Sequence, residues 1–469
     1  MLNFAAKKGI MQTIHQTAKP FDQLLKKQKV KKGETYRPMY YVVEQPVDEG
    51  LLLYHTMTKA LLLLTPEETK TFKTNPTVLS QLIEQWFLVP QSHDDRLLSR
   101  QIRNVAKMLE KKTGAITSYT ILTTTDCNAR CFYCYELGRP RVPMSEDTAI
   151  QTADHIINHC KGEKVSIQWF GGEPLYNKPV ISIICRRLKE AGIDYHSTMV
   201  SNGYLINDNI VNEAKNLWHL KKVQITLDGT EHTYNRCKAF IYKDVNAYRR
   251  VIGNIHKLQD ADIRVSIRLN IDMHNAENLS ELADELHQEF SNPKGISVYL
   301  HVLFEETKGS KAMHDNEKRK FVFDQIKDIE ARLKDYGFTK PSRLNRQVKT
   351  NRCMADGDSS VLIVPDGHIG KCEHYTENHF VGHVGNEEWD TQMMDNFKET
   401  RDEIDACVIC FNYPNCIWLK QCEDNPNCYQ EEREHKLSKL RQSILRAYNN
   451  YKDKQENKQE EDTQNEVQD

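Results

Sequence analysis

The sequence lacks an apolar run long enough to span a membrane. Although 39% of its 469 residues are hydrophobic, the apolar stretch 50–65 is interrupted by polar side chains such as Thr56 and Lys59. A membrane helix needs about 18 apolar residues in succession. Lys7 and Lys8 are not followed by the apolar segment of an export signal. These absences predict a cytoplasmic protein without a membrane partner.

The sequence also lacks an excess of charge of either sign. Lys and Arg total 64 and Asp and Glu total 66, so the formal net charge is −2. Such a chain has no global field to attract nucleic acid, and we expect no nucleic-acid partner. Residues 1–35 are a local exception, with eight lysines against one Asp and one Glu. They predict a basic, poorly ordered arm, or else an arm that touches an acidic peptide partner.

Cysteine is abundant, with 13 in a chain that shows no export signal, which favours metal ligands or reactive thiols over disulfides. Cys127, Cys131 and Cys134 follow an apolar run at a C-x3-C-x2-C spacing. A structural zinc site uses four closed ligands, whereas an iron–sulfur cluster needs a cysteine at each iron. Three cysteines therefore predict a cluster with one open iron. A zinc knuckle, or three unrelated core cysteines, is the alternative.

The triplet resembles the signature of the radical S-adenosylmethionine (SAM) enzymes, C-x3-C-x-aromatic-C, with Tyr133 at the aromatic position. The resemblance implies a [4Fe-4S] cluster whose open iron chelates the amino and carboxylate groups of SAM. It also implies one-electron cleavage of SAM to a 5′-deoxyadenosyl radical. Cys127, Cys131 and Cys134 would then be both the metal ligands and the catalytic centre.

Residues 113–336 alternate apolar strands with helical stretches, which predicts βα units and a parallel sheet. The layout resembles the partial (β/α)6 barrel of radical SAM enzymes, an α/β fold with its active groups on loops at the carboxyl ends of the strands. The six predicted strands are Ser118–Thr125, Val165–Phe170, Tyr195–Val200, Val223–Leu227, Arg264–Ile271 and Ile296–Leu303.

Three later elements carry candidate cofactor-binding residues. Glycines let a backbone approach a ligand, Glu173 is an acceptor, and an arginine fork suits a carboxylate. The resemblance implies that GGEP contacts the amino group of SAM, that Ser201 and Asn202 lie near its ribose and carboxylate, and that Arg268 binds the carboxylate. An ordinary Asn-Gly turn and a strand-end ion pair are the alternatives. The complete set is Tyr133, Gly171, Gly172, Glu173, Pro174, Ser201, Asn202, Arg268 and Asn270.

The sequence does not identify a general base. Asp228 either orients substrate or SAM or caps the turn after its strand. Glu305 and Glu306 are further candidates near a strand end. Cys160 and Cys185 have apolar neighbours on predicted helices, which favours buried small hydrophobes, and Cys237 stays unassigned.

Residues 337–430 hold seven further cysteines, and their C-x13-G-x4-C and C-x2-C-x5-C patterns resemble the SPASM domain, which binds two auxiliary [4Fe-4S] clusters. Carried over in order, one cluster is held by Cys407, Cys410, Cys416 and Cys428, and the other by Cys353, Cys372 and Cys422. Both gaps after Cys416 are five residues long, unlike the family pattern, so the partition of Cys422 and Cys428 stays open. A pair of zinc sites is the alternative.

Two further regions precede the barrel and follow the cysteine-rich residues. Residues 36–112 suggest short strands and three helices, a layout resembling the winged-helix peptide-recognition element of many radical SAM peptide maturases; a generic helical cover of the barrel is the alternative. After the cysteine-rich residues, 431–451 predict a charged helix and 452–469 a disordered tail. The predicted architecture is thus a small N-terminal α+β domain, the partial barrel and a C-terminal SPASM domain.

These patterns together predict a radical SAM peptide maturase. It would abstract hydrogen from a ribosomally made precursor peptide, whose leader the N-terminal domain recognises, and form a thioether or carbon–carbon crosslink. A flavodoxin or ferredoxin would supply the electron. The alternatives are an anaerobic sulfatase-maturating enzyme, which makes formylglycine, and a zinc-binding interaction protein. The sequence names neither the peptide, nor the bond formed, nor the oligomeric state.

Overall fold

The computed structural model describes residues 11–109, 113–134, 136, 138–243, 246–303, 316–339, 343–344, 353–374, 379–386, 388–398, 403–416 and 428–466. Within these residues the strands form a mostly parallel sheet of nine strands, an antiparallel sheet of four and an antiparallel pair. No described helix is both long and apolar enough to cross a membrane.

Residues 11–109 form the N-terminal unit, in which two small antiparallel sheets pack with four helices. The larger sheet has the order β1-β5-β4-β3, and β2 pairs with β6. The elements are β1 (Gln12–His15), α1 (Lys19–Leu24), β2 (Tyr36–Pro38), β3 (Val42–Val47), β4 (Gly50–His55), β5 (Leu61–Leu64), α2 (Pro66–Thr71), α3 (Pro76–Glu84), β6 (Leu88–Pro90) and α4 (Asp95–Leu109).

Local sequence signals explain where the helices of this unit begin. The Thr65 hydroxyl accepts the backbone N–H of Glu68 at 3.2 Å, and the Glu68 carboxylate accepts that of Thr65 at 2.8 Å, so α2 starts with a capping box. Asn75 caps α3, and Asp94 accepts the N–H of Leu97 at 2.9 Å at the start of α4.

The prediction of a poorly ordered arm over 1–35 is wrong for residues 11–24. Residues 12–15 form β1, which pairs antiparallel with β5, and α1 follows. Met11, Ala18 and Phe21 are buried. The many lysines of this segment concealed these apolar residues, which anchor it to the hydrophobic clusters of the N-terminal unit.

The barrel region has six consecutive parallel strands, each the neighbour of the next. The predicted α/β fold with a mostly parallel sheet is therefore confirmed. The elements are β7 (Ser118–Leu122), α5 (Glu146–His159), β8 (Val165–Phe170), α6 (Lys178–Glu190), β9 (Tyr195–Ser201), α7 (Asp208–Asn216), β10 (Leu220–Thr226), α8 (Glu231–Lys238), α9 (Ala247–Asp260), β11 (Arg264–Ile271), α10 (Ala276–Glu289), β12 (Ile296–Val302) and α11 (Asn316–Asp335).

Alternating burial along the strands fixes which face of the sheet meets the helices. Val165, Ile167 and Trp169 of β8 are fully buried, and the residues between them are half-buried. These side chains join the large apolar cluster that also takes in the inner faces of α5, α6 and α9. Because the strands are parallel, their carboxyl ends meet at one edge of the sheet, where the motif-bearing loops converge.

The sheet continues into the cysteine-rich region, across the domain boundary predicted at 337. The elements are β13 (Ser360–Ile363), β14 (His368–Gly370), β15 (Gly382–His383), α12 (Thr391–Asn396) and α13 (Gln430–Glu466). β13 pairs parallel with β7, and β14 and β15 follow antiparallel. The buried run Val361, Leu362 and Ile363 thus covers an edge of β7 that six strands alone would leave open.

Helix α13 differs from the prediction, because it continues to Glu466 where a disordered tail was expected from Lys452. The segment 452–466 contains neither Pro nor Gly and is rich in Lys, Glu and Gln, which are good helix formers. Ile444 and Tyr448 lie one turn apart and are buried against Val43, Leu52 and Leu63. The C-terminal helix therefore covers one face of the N-terminal sheet.

We expect Ile444→Ala to weaken the docking of α13 on this sheet by about 2–5 kcal/mol, because it removes a fully buried side chain and leaves a cavity. Native-state hydrogen exchange of the β3 and α13 amides measures the effect. Arg441→Ala, at an exposed position of the same helix, is the control. Equal protection in the two variants would show that Ile444 does not hold the helix.

Candidate active site

The cysteine triplet lies on the loop that follows β7. The thiol of Cys127 accepts the N–H of Ala129 at 3.3 Å and an amide N–H of Asn202 at 3.7 Å. The backbone N–H of Arg130 donates to the carbonyl of Lys238 at 2.8 Å, which ties the loop to α8. All three cysteines are partly exposed and line one cavity of about 290 Å³.

Burial opposes ionisation of two of these thiols. It raises the pKa of Cys127 to about 12, with Glu173 adding to the effect, and it raises the pKa of Cys134 to about 11. A buried thiolate needs a neighbouring positive charge, and a bound metal supplies one, because a coordinating thiol is deprotonated outright. A bound cation would therefore favour the thiolates of Cys127 and Cys134.

The glycines after β8 face the cysteine loop. Gly171 has φ +122°, and a Cβ there would clash with the carbonyl oxygen of Thr124. A Cβ on Gly172 would clash with the carbonyl oxygen of Asp126. The N–H of Gly172 donates to Thr124 at 3.0 Å. The two glycines thus permit two loop backbones to touch. From the sequence, we predict only that these glycines let the backbone approach a ligand.

Glu173 is fully buried and joins the β8 loop to the end of β9. Its carboxylate accepts the Ser201 hydroxyl at 2.9 Å, the Asn202 N–H at 2.7 Å and the Leu175 N–H at 3.2 Å. Burial raises the pKa of Glu173 to about 7, and these donors lower it in part. Pro174, also buried, follows in a short 3-10 turn. The GGEP and Ser201-Asn202 elements are therefore one hydrogen-bonded assembly.

Tyr133 belongs to a buried charged triad that the sequence analysis missed. Its hydroxyl donates to Asp228, and the Lys238 ammonium lies 2.9 Å from the same carboxylate and 2.7 Å from the hydroxyl. Burial alone would lower the pKa of Lys238, but Asp228 and Tyr133 outweigh it and hold that pKa above its ordinary range. Burial also holds the pKa of Tyr133 well above its usual range.

Lys238 carried one sequence signal. It follows Tyr234 by four residues on α8, so both side chains share the helix face that turns to the sheet. Asp228 does not cap α8, whose N-cap is Thr230. Among the described residues its Oδ1 is buried without a hydrogen-bond partner, which leaves an acceptor for a further donor.

Arg268 and Asn270 lie on β11, beside the cavity rather than on its wall. The Arg268 guanidinium donates to the Asn270 side chain at 2.8 Å. The Asn275 amide links the Asn270 and Asp228 carbonyls at 2.7 and 3.1 Å. Thr226, the register partner of Arg268 on β10, does line the cavity. Glu305 and Glu306 lie outside the described residues.

A second group of cysteines meets between the N-terminal unit and α13. Cys407, Cys410, Cys416 and Cys428 line one cavity of about 50 Å³. Arg433 of α13 donates to the Cys428 thiol at 3.3 Å and to its carbonyl at 2.8 Å. Burial raises the pKa of Cys428, and Arg433 partly offsets this. These are the four cysteines that the resemblance to the SPASM domain assigns to one cluster.

The other predicted cysteine set is only partly described. Cys372 packs against the small cluster of Ala355 and Phe397, and Ala355 lies two residues after Cys353 in the chain. Cys422 lies outside the described residues. Cys160 and Cys185 are buried in the apolar core, as predicted, and Cys237 is buried on α8.

The loop 411–415, which lies between Cys410 and Cys416, is hydrogen-bonded to the N-terminal unit. Thr56 donates to the Phe411 carbonyl at 2.6 Å, and Lys59 donates to the Asn415 side chain at 2.6 Å. Arg100 donates to the Tyr413 hydroxyl at 2.9 Å. The loop therefore joins the second cysteine site to the N-terminal unit.

Comparison with known proteins identifies the class of the barrel domain. Residues 121–288 match the sequence profile described as the Radical SAM superfamily. This chain is 23% identical over 288 residues to GTP 3′,8-cyclase of Clostridium perfringens (strain SM101 / Type A), covering 57% of this chain and 84% of that one. It is 23% identical over 180 residues to the sporulation killing factor maturation protein SkfB of Bacillus subtilis (strain 168), covering 37% of this chain and 41% of that one.

Solved structures support the same fold. The structure of anSMEcpe with bound AdoMet superposes with a TM-score of 0.54 at 14% identity and covers 72% of this chain and 99% of that chain. Residues 121–288 therefore form a radical SAM domain. A [4Fe-4S] cluster and SAM are the cofactors that this class implies.

The residues present fit those cofactors. Three thiols of one loop border a cavity of about 290 Å³, beside an assembly that presents Asn202 and Ser201. Among the described residues, no three His, Cys, Asp or Glu side chains are gathered closely enough to hold a single metal ion. Thiols that line one cavity are the donors that an iron–sulfur cluster uses.

We expect Lys238→Met to destabilise the cluster-free chain by about 3–5 kcal/mol, because it leaves the Asp228 charge buried without its partner. Denaturant unfolding followed by circular dichroism measures the loss. Lys238→Met combined with Asp228→Leu should recover part of it, since the unpaired charge is then gone. A single variant as stable as the unmodified chain would contradict the ion-pair assignment.

Proposed function

We propose that this radical SAM enzyme is a peptide maturase. It would abstract a hydrogen atom from a ribosomally made precursor peptide and form a thioether or carbon–carbon crosslink. The observation that carries the proposal is the pairing of the thiol-lined cavity with a second four-cysteine site that is fastened to the N-terminal unit. Two cysteine sites and a small α+β unit are the combination that resembles peptide maturases.

The chain's own residues divide the work at the first site. Cys127, Cys131 and Cys134 would hold the cluster, and a bound cluster with SAM would supply a 5′-deoxyadenosyl radical. Glu173, held by three hydrogen-bond donors, would orient the amino group of SAM. Asn202 lies between the Glu173 carboxylate and the Cys127 thiol and donates to both. Tyr133, Gly171, Gly172 and Ser201 line the cavity wall, Pro174 is buried behind it, and Arg268 with Asn270 would close the cavity from β11 in the bound state.

The second site would hold auxiliary iron. Cys407, Cys410, Cys416 and Cys428 line one cavity, and the Arg433 guanidinium, 3.3 Å from the Cys428 thiol, would favour the thiolate that iron needs. Cys353, Cys372 and Cys422 would hold the second auxiliary cluster, and Cys372 packs against Ala355, which follows Cys353 by two residues.

A peptide substrate is supported by two similar proteins. SkfB is named as a maturation protein of the sporulation killing factor. A structure of anSMEcpe, similar to this chain with a TM-score of 0.51 at 14% identity, is titled with bound AdoMet and Cp18Cys peptide. The N-terminal unit would recognise the leader of the precursor, and a flavodoxin or ferredoxin would be the reductant, in the cytoplasm.

Replacing Cys127, Cys131 and Cys134 together by Ala should abolish 5′-deoxyadenosine formation, because no thiolate would remain to hold the first cluster, while auxiliary iron stays bound. Chromatography of the nucleoside and iron analysis of anaerobically purified protein measure both. Cys160→Ala, at a buried position outside either cavity, should keep iron and turnover. Persistent SAM cleavage in the triple variant would refute the assignment.

Co-expression with a candidate precursor peptide tests the reaction itself. Mass spectrometry of the peptide should show the loss of two hydrogens when the chain is intact, because a crosslink removes one hydrogen from each joined atom. The triple cysteine variant serves as the control. An unchanged peptide mass with every candidate precursor would count against a crosslinking maturase.

We expect SAM to bind the cluster-loaded enzyme more tightly as the pH rises through about 7. Burial places the pKa of Glu173 near this value, and the ionised carboxylate is the better acceptor for an amino group. The gain should therefore be absent below about pH 6 and complete above about pH 8. Calorimetric titration with SAM measures it.

Glu173→Gln is the matched control for this pH dependence. Titration of SAM itself is common to both proteins, so the difference between them isolates Glu173. Parallel pH profiles for the two proteins would show that Glu173 does not face the cofactor.

A further inference from the structure

A third cavity, of about 410 Å³, lies between β1 and α13, away from both cysteine sites. Its floor is apolar, because Ile14, Leu344 and Ala447 pack on the cluster that joins α13 to the N-terminal sheet. Ser443, Asn450 and Tyr451 add polar groups. The cavity therefore offers both apolar contact and hydrogen bonds, as ligand sites commonly do.

The charge around this cavity has one sign. Arg343, Arg446 and Lys454 line it together with His15, and no Asp or Glu of the described residues does. This contrasts with the chain as a whole, whose formal charge is −2. Three cations around an apolar floor favour an anionic ligand, and guanidinium groups suit carboxylates in particular.

Among the described strands, the cavity also borders the unpaired edge of β1. β1 is the outermost strand of its sheet, and among the described strands it pairs only with β5. Ile14 and His15 of β1 line the cavity. An extended peptide laid along this edge would place alternate side chains toward the cavity, the geometry by which sheet edges bind peptides.

We propose that the cavity between β1 and α13 binds an extended acidic segment of the peptide substrate, in which carboxylates at every second residue face Arg343, Arg446 and Lys454. The proposal rests on the peptide-maturase function, and it assigns the contact to β1 and α13. Binding here needs neither iron nor SAM. It can therefore be measured apart from the chemistry.

The test is fluorescence anisotropy of a fluorescein-labelled peptide of alternating Glu and Leu, titrated with the full-length chain. Alternation places the carboxylates on one side of an extended strand and the leucines on the other. A peptide of alternating Lys and Leu should bind at least about tenfold more weakly. The affinity for the acidic peptide should also fall at about 0.5 M salt, where charges are screened over about 4 Å.

Variants of α13 assign the binding to this cavity. Arg446→Glu with Lys454→Glu should weaken the acidic peptide by about tenfold or more, because attraction becomes repulsion. Arg441→Glu makes the same kind of charge change at an exposed position of α13 that does not line the cavity, and it should alter the affinity by less than about twofold. Arg446→Gln with Lys454→Gln provides the test if charge reversal disturbs folding, as judged by circular dichroism.

Three results would overturn the proposal: equal affinity for the acidic and basic peptides, unchanged affinity in the Arg446 and Lys454 variants, or tighter binding of an oligodeoxythymidine of matched length. Failure of the proposed function is distinguishable. A chain that binds the acidic peptide but forms no 5′-deoxyadenosine keeps this site and loses the function, whereas a chain that cleaves SAM and ignores the peptide does the opposite.

Discussion

The buried carboxylate of Glu173 is the interaction on which the geometry of the active site depends. A fully buried carboxylate is costly unless donors surround it, and here the Ser201 hydroxyl and the N–H groups of Asn202 and Leu175 do so. The backbone N–H of Glu173 also donates to Asp126 at 3.0 Å. One residue therefore joins the loops after β7, β8 and β9. The approach of Asn202 to the Cys127 thiol follows from that junction.

The triad of Tyr133, Asp228 and Lys238 supports the other side of the same loop. Tyr133 lies between Cys131 and Cys134, so fixing its hydroxyl restrains the backbone that carries both thiols. A buried ion pair is weak evidence for stability, because desolvation opposes the attraction. Its directional bonds hold one arrangement of the loop, which is what a site with three converging thiols requires.

Sequence reasoning reached the parts of the site that are contiguous in the chain. The cysteine spacing, GGEP and Ser201-Asn202 are local motifs, and their place after consecutive parallel strands follows from alternating apolar runs. It missed Lys238, whose partner Tyr133 is 105 residues away, because the four-residue spacing from Tyr234 does not by itself distinguish a buried lysine from an exposed one. It also missed the pairing of β13 with β7, since a four-residue apolar run fits several places. The ordered strand β1 was hidden by charge counting, which treats a basic segment as solvated.

The N-terminal unit and the second cysteine site depend on the same short loop. Residues 411–415 receive hydrogen bonds from Thr56, Lys59 and Arg100 on one side and carry Cys410 and Cys416 at their ends. Iron held by these cysteines would order the loop, and an ordered loop presents fixed partners to the N-terminal unit. If iron stabilises one arrangement of the loop, it also stabilises the contacts between the loop and the N-terminal unit. By linkage, those contacts would in turn strengthen the binding of iron. The proposed peptide-binding surface and the proposed auxiliary iron site would in this sense be one structural unit, although β1 and the four cysteines are nearly 400 residues apart in the chain.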